Sequence, residues 1–215
     1  MSLIVNEIFH SLQGESSHAG RPCVFVRLTG CNLRCSYCDT RYAYDEGEAM
    51  DVEEVIGRVS AFPCRLVEVT GGEPLLQRKT PGLIKMMLDR GFEVLLETNG
   101  TRDIGSIDSR CVRIVDIKCP SSGEAEKNDF GNFSHLTSRD EIKFVMMDRR
   151  DYDYAVGILA RYRDVCTAAK PPLFSPILGM LEPSVLAEWI LNDGLPVRMQ
   201  LQLQKIIWGQ EVRGV

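Results

Sequence analysis

The sequence predicts an α/β fold, an incomplete (βα)6-type barrel with parallel strands, on three observations. Strand-like and helix-like segments alternate roughly six times, and such alternation means parallel strands joined by crossovers. Cys31, residues 70–73, Glu97, Lys118 and Ser175 all fall where a strand finishes, and ligands of such sheets bind at the carboxyl ends of the strands. The chain has 215 residues, short of the ~250 of a complete eight-stranded barrel.

In chain order, residues 4–9 form a short strand running into His10-Ser11-Leu12-Gln13-Gly14-Glu15, on its own an ordinary surface turn. Residues 23–29 are β-branched and aromatic and stop at Gly30, so the chain that follows leaves the carboxyl end of a strand. Alternation puts Cys23, Phe25, Arg27 and Thr29 on one face and Val24, Val26 and Leu28 on the other. An arginine inside a sheet covered on both faces needs an anion. Arg27 suits a substrate carboxylate or an internal ion pair, and the sequence favours neither.

Asp51 caps a helix, with Glu54 three residues on and Val52, Val55, Ile56 and Val59 along one face. A strand over 66–69 delivers Thr70-Gly71-Gly72-Glu73-Pro74, where two glycines let backbone approach a ligand and Glu73 offers an acceptor to an ammonium group. Thr80 caps the next helix, Pro81 opens it, Leu83, Ile84, Met87 and Leu88 face the core, and Gly91 ends it. A strand over 93–96 leads to Glu97-Thr98-Asn99-Gly100, and one over 112–117 to Lys118-Cys119-Pro120, after which the polar run 121–132 reads as a mobile loop. A strand over 141–146 precedes a helix over 148–163 whose Arg149, Arg150 and Asp151 form a solvated first turn. A strand over 173–175 leads into Pro176-Ile177-Leu178-Gly179, Glu182-Pro183-Ser184 opens a helix, and a last strand spans 197–202. His18 and His135 fall in loops and are expected to be solvated.

Composition narrows the function. Lys and Arg number 25 against 30 Asp and Glu, a net charge of −5, which speaks against nucleic acid, whose grip depends on clustered positive charge. No linker divides the chain, so residues 1–215 are expected to form one domain. The N-terminus has no signal-like pattern and no apolar run approaches ~18 residues, so a cytoplasmic protein without membrane spans is expected. Cys23, Cys64, Cys111, Cys119 and Cys166 are scattered and read as small buried hydrophobes, not as a disulfide framework.

Cys31, Cys35 and Cys38, three thiols within eight residues, are different. Soft thiolates select zinc, copper(I) or iron–sulfur clusters, and a structural zinc site needs a fourth ligand at matching spacing, whereas no second C-x2-C follows. Three cysteines on a 4Fe-4S cluster leave one iron open to a small molecule. The C-x3-C-x2-C spacing with Tyr37 before the third cysteine resembles the signature of the radical S-adenosylmethionine enzymes, and Gly71-Gly72-Glu73-Pro74 resembles their contact to the methionine amino group. That resemblance implies the radical S-adenosylmethionine fold and a 5′-deoxyadenosyl radical made by reductive cleavage of the sulfonium.

Over its whole length the chain resembles the 7-carboxy-7-deazaguanine synthases. The residues that carry this are Leu12-Gln13-Gly14-Glu15, Phe25-Val26-Arg27, Cys38-Asp39-Thr40, Gly71 to Pro74, Glu97-Thr98-Asn99-Gly100 and the end from Trp208 to Val215. The resemblance implies a 6-carboxy-5,6,7,8-tetrahydropterin substrate, hydrogen abstraction at the carbon bearing the carboxylate, and ring contraction with loss of ammonia. It implies Cys31, Cys35 and Cys38 as cluster ligands and Thr40 as a magnesium ligand, reasonable for a hard cation held mostly by substrate and water. Tyr37, Asp39, Gly72, Glu73, Lys118, Cys119, Pro120, Ser175, Pro176, Ile177 and Leu178 are the implied S-adenosylmethionine contacts. Leu12, Gln13, Gly14, Glu15, Arg27, Thr70, Glu97, Gln204 and the carboxylate of Val215 are the implied pterin contacts, with the tail closing the site.

The resemblance further implies a homodimer and a reductant such as flavodoxin or ferredoxin. Where many relatives read Gln-x-His-Lys, this chain reads Gln202-Leu203-Gln204-Lys205, so a neutral group replaces a titrating one. Two rivals are a glycyl-radical-enzyme activase, which would lack the turn at 12–15 and the tail at 208–215, and a non-enzymatic metal-stabilised interaction domain, which would leave Gly71-Gly72 and Arg27 without a purpose.

Overall fold

The computed structural model describes residues 2–210 and 212–215. In chain order the elements are β1 (Leu3–Leu12), β2 (Pro22–Leu28), β3 (Glu48–Met50), α1 (Val52–Ser60), β4 (Leu66–Gly71), α2 (Thr80–Asp89), β5 (Glu93–Thr98), β6 (Val112–Ile117), β7 (Glu141–Met146), α3 (Arg149–Arg161), α4 (Arg163–Ala168), β8 (Leu173–Pro176), α5 (Pro183–Asp193), β9 (Arg198–Met199) and α6 (Leu203–Ile207). They form one nine-stranded sheet in the order β3-β1-β2-β4-β5-β6-β7-β8-β9. From β2 to β9 every pairing is parallel, while β1 runs antiparallel to β2 and β3 antiparallel to β1. Among the described residues the ends β3 and β9 do not pair, so the barrel is open, as its length predicts.

Strand alternation sorts the core into layers. Val24, Val26, Leu28, Val67, Val69, Val94 and Leu96 pack with α1 and α2 residues such as Val55, Ile56 and Leu83. Val115, Ile117, Ile142, Phe144 and Phe174 pack with Tyr152, Ala155 and Leu186 of α3 and α5. The other face carries a small apolar floor of Cys23, Phe25, Leu66, Leu95 and Ile114. Above it, two residues further along each strand, come Arg27, Glu68, Thr70, Glu97 and Asp116. This polar tier positions the site.

Residues 13–21 bridge the barrel's open side. Leu203 N–H donates to Gly14 O at 3.1 Å, Ser16 N–H to Gln200 Oε1 at 2.8 Å, and Ser17 N–H to Glu141 Oε2 at 2.9 Å. His18 is therefore buried, 8% exposed, and not solvated as expected, with Arg21 donating to its Nδ1 at 2.7 Å. His135 is exposed.

Four further expectations change. The run 121–132 is built of short 3-10 turns with Ser122, Glu124 and Asn132 buried, because its groups bond to the cysteine loop and to residues 100–104. Asp151 is fully buried, accepting from Ser121 N–H and Met147 N–H, both at 2.8 Å. The last strand is only two residues long, since Gln200 and Gln202 turn their amides to Ser16 and Glu15. Thr80 spends its hydroxyl on Pro74 O at 2.6 Å and begins α2 without capping it.

Candidate active site

The carboxyl edge of the sheet opens into a cavity of about 340 Å³. Cys31, Cys35 and Cys38 all line it. The loop that carries them is held from several sides. Gly30 N–H donates to Ala43 O at 2.8 Å, Arg34 N–H to Glu124 Oε1 at 2.6 Å, and Ser36 N–H to Ser122 O at 3.0 Å. The Arg34 guanidinium donates to the carbonyls of Cys31 and Leu33 and stacks 4.2 Å above Tyr44. Burial pushes the thiols of Cys31 and Cys35 up, Cys35 to about 11, with Lys118 opposing it. Leu33 N–H and Asn99 Nδ2 both donate to Cys31 Sγ, at 3.4 and 3.9 Å, an environment that suits a thiolate.

Among the described residues no three His, Cys, Asp or Glu side chains draw together as they would round a single ion. A cubane cluster makes a different demand, one thiolate on each of three irons. The three thiols on one cavity wall, hydrogen-bonded through their loop and next to Lys118, fit that demand.

The turn after β4 is packed against this loop. Glu73 N–H donates to Gly30 O at 2.7 Å, and a Cβ on Gly72 would stand 2.3 Å from Gly30 O. Glu73 lies beneath, fully buried, accepting from Asn99 N–H at 2.7 Å, Leu75 N–H at 2.9 Å and the Thr98 hydroxyl at 2.9 Å. Burial raises its carboxyl, with those donors opposing the rise. Glu73 does not line the cavity and its carboxylate braces the turn, while Thr70, Gly71 and Gly72 line the cavity.

The floor centres on Lys143, whose Nζ reaches Glu15 Oε2 at 2.9 Å and the Glu97 carboxylate, with Asp116 Oδ2 at 3.9 Å. Glu15 also accepts from Gln202 and Gln204 at 2.9 and 3.0 Å, and from Gln200 at 3.3 Å. Four donors fill its two oxygens, so the carboxylate expected to touch substrate is committed to the protein. Burial alone would raise Glu15, but Lys143 and the glutamines overrule it and hold it near 2. Glu68, bonded to Gln13, is driven the other way by burial beside Glu97.

On the upper walls, Arg27 Nε–H donates to Glu7 Oε1 at 2.7 Å while Arg27 also lines the cavity, so the ion pair and the ligand-facing position coexist. Asp39 pairs with Lys205 at 2.6 Å and accepts from the Thr40 hydroxyl at 3.0 Å. Lys118 pairs with Asp116 at 2.7 Å. Arg213 stacks 3.8 Å above Tyr42, bringing Gly214 and Val215 to the rim. Glu211 lies outside the described residues.

Of the sequence-derived site residues, Leu12, Gln13, Gly14, Glu15, Arg27, Tyr37, Asp39, Thr40, Thr70, Gly72, Glu97, Lys118, Ile177, Gln204 and Val215 line this cavity with the three cysteines. Glu73, Cys119, Pro120, Ser175, Pro176 and Leu178 do not. Cys119 is fully buried with its thiol turned to Ile117 O, and Ser175 is 1% exposed. Among the described residues, buried Ser11 Oγ, Tyr37 Oη, Asp116 Oδ1, Ser175 Oγ and Gln204 Oε1 have no hydrogen-bond partner, and three of these five residues line the cavity. Such orphaned groups imply a polar ligand. Sequence reasoning missed Glu68, Asp116 and Lys143, although period-two alternation from Arg27, Thr70 and Glu97 pointed to the same tier on β4, β6 and β7.

Residues 25–167 match the family model of the Radical SAM superfamily. The 7-carboxy-7-deazaguanine synthase of Chlorobaculum tepidum is 49% identical over 99% of this chain and 97% of that protein. The enzyme of the same name from Koribacter versatilis is 42% identical over 98% of this chain and 99% of its own length. The crystal structure of QueE from Escherichia coli superposes with a TM-score of 0.79 at 24% identity, covering 94% of both chains, and so shares the fold. By the family model and by these relatives, which it matches over nearly its whole length, this chain belongs to the radical SAM superfamily and, within it, to the 7-carboxy-7-deazaguanine synthases.

Proposed function

We propose that this chain is a lyase that converts 6-carboxy-5,6,7,8-tetrahydropterin to 7-carboxy-7-deazaguanine with loss of ammonia. The observation that carries it is one cavity holding both the three-cysteine loop and a floor of carboxylates and carboxamides around Lys143. The first suits a redox cluster, the second a flat, donor-rich heterocycle.

Cys31, Cys35 and Cys38 would each hold one iron of a 4Fe-4S cluster. The Gly71-Gly72 backbone, Tyr37, Asp39, Lys118 and Ile177 would hold S-adenosylmethionine, and Thr40 would hold Mg2+ beside the substrate carboxylate. When bound, these groups supply a hydrogen-abstracting 5′-deoxyadenosyl radical and a Lewis acid. Glu7 takes the Arg27 Nε–H, which leaves the terminal guanidinium nitrogens for the substrate carboxylate. Glu97 has one carboxylate oxygen on Lys143 and offers the other to ring N–H groups. Gln13, Gly14, Thr70 and Gln204 form the wall against which the ring lies, and the tail through Val215 keeps water out. A flavodoxin or ferredoxin as electron donor, a homodimer and a cytoplasmic location complete the reading.

The test is incubation of the anaerobically reconstituted protein with S-adenosylmethionine, dithionite, magnesium and 6-carboxytetrahydropterin, followed by mass spectrometry. Formation of 7-carboxy-7-deazaguanine, lost in Cys35→Ala, is expected. Release of 5′-deoxyadenosine with the pterin untouched would keep the radical machinery and overturn the substrate.

A further inference from the structure

Lys143 carries no assigned role, yet it is the deepest cation of the cavity. Its side chain is 4% exposed, and it sits on β7 directly opposite Asp116 of β6 in the parallel register. The groups that face it are Glu15 from the bridging segment, Glu97 from β5 and Asp116 from β6. Glu68 of β4 and Lys118 beyond β6 stand next in the same tier, and β8 opposes it with the uncharged Leu173. Glu15 and Glu97 thus share one ammonium at hydrogen-bond distance, Asp116 being held closer by Lys118 at 2.7 Å, and the two glutamates are not equivalent. Glu15 is filled by Lys143 and three glutamines. Glu97 is not, because one oxygen is bound by Lys143 while its side chain, 25% exposed, opens to the cavity.

We propose that Lys143 is a positioning residue for the substrate: its ammonium ties Glu97 to the locked Glu15 and thereby aims the remaining Glu97 oxygen at the N–H edge of the pterin. The proposal rests on the substrate reading above. Lys143 itself makes no contact with the ligand. A rotatable glutamate on a strand end loses side-chain entropy when it binds, and Lys143 removes that cost before the ligand arrives. Lys143 also neutralises a site where Glu15, Glu68, Glu97 and Asp116 crowd together. Without it their mutual repulsion turns Glu97 away from Glu15.

The experiment uses the reconstituted enzyme and 6-carboxypterin, a redox-stable fluorescent probe, with its dissociation constant measured alongside that of S-adenosylmethionine. Lys143→Met is expected to weaken the pterin about tenfold or more. S-adenosylmethionine affinity stays within about twofold, and in a Glu97→Gln background the further loss from Lys143→Met disappears, because the lysine acts through that glutamate. Equal pterin affinity in wild type and Lys143→Met, or an equal loss in the Glu97→Gln background, overturns the proposal alone. If Lys143→Met does not fold, Lys143→Arg, which keeps the charge and moves the donors, is read the same way, and wild-type pterin affinity there also overturns it. A wild-type enzyme that binds S-adenosylmethionine and no pterin overturns the substrate reading, and the proposal with it.

Discussion

Gly72 lies so close to Cys31 that a Cβ built on it would stand 2.7 Å from Cys31 Cβ. The two loops, from β2 and from β4, are therefore fitted to one another with no space for a methyl group. Because Gly30 O is closer still, at 2.3 Å, relief requires moving backbone. Gly72→Ala is expected to displace the cysteine loop and cut iron bound per chain after reconstitution by more than half, with the global fold intact. Iron and sulfide analysis beside circular dichroism checks this, and full iron loading would show that the loops have slack.

Glu73 is surrounded by donors. Asn99 N–H, Leu75 N–H and the Thr98 hydroxyl all point at its two oxygens, and it has no exposed surface. Glu73→Gln keeps the shape but turns an NH2 toward donors. The expected cost is about 1–3 kcal/mol, the penalty of an unsatisfied buried group, seen as a lower urea midpoint. Glu73→Asp retains the acceptors and shortens their reach, so S-adenosylmethionine binding is expected to suffer more than stability.

The sequence was informative where chemistry is local. Residues 22–28 alternate as a strand with Arg27 facing in, Asp51 caps α1 by accepting from Glu54 N–H at 2.8 Å, and β6 and β7 match their anticipated bounds. What escaped it depends on distant partners. Residues 121–132 are polar because they bond across to Arg34, Ser36 and Asn99's neighbours, not because they are solvated. Asp151 follows two arginines and looks like a surface acid, but it receives Ser121 and Met147 amides that only the fold brings near. Lys143 lay in plain view in a strand, yet its meaning required Glu15, 128 positions away.

Stability should fall with acid in two stages. Burial lowers His18 from 6.5, helped by Lys170 and opposed by Glu93 and Glu141. A histidine depressed on folding binds fewer protons than the unfolded chain, so stability begins to drop as pH falls below 6.5. Glu15, held near 2 against an ordinary 4.5, contributes fully above 4.5 and loses that contribution as pH falls toward 2. Urea titrations across pH are expected to show both slopes. His18→Gln removes the first, and Glu15→Gln flattens the second.

Gly14 and Gln204 form the tightest contact of the closing segment. A Cβ on Gly14 would stand 1.7 Å from Gln204 Oε1 and 3.0 Å from Gln204 N. The amide end can swing away, but only by giving up its bond to Glu15 at 3.0 Å. Gly14→Ala is therefore expected to cost about 1–2 kcal/mol and to weaken pterin binding, since it loosens the wall that Glu15 organises. Gln204→Ala removes the side-chain obstacle as well as the hydrogen bond. In that background Gly14→Ala should cost less than alone, because the side-chain clash at 1.7 Å is gone and only the backbone contact at 3.0 Å remains. A double-mutant cycle on urea midpoints reads the coupling directly, and simple additivity would mean that the segment relaxes without Gln204.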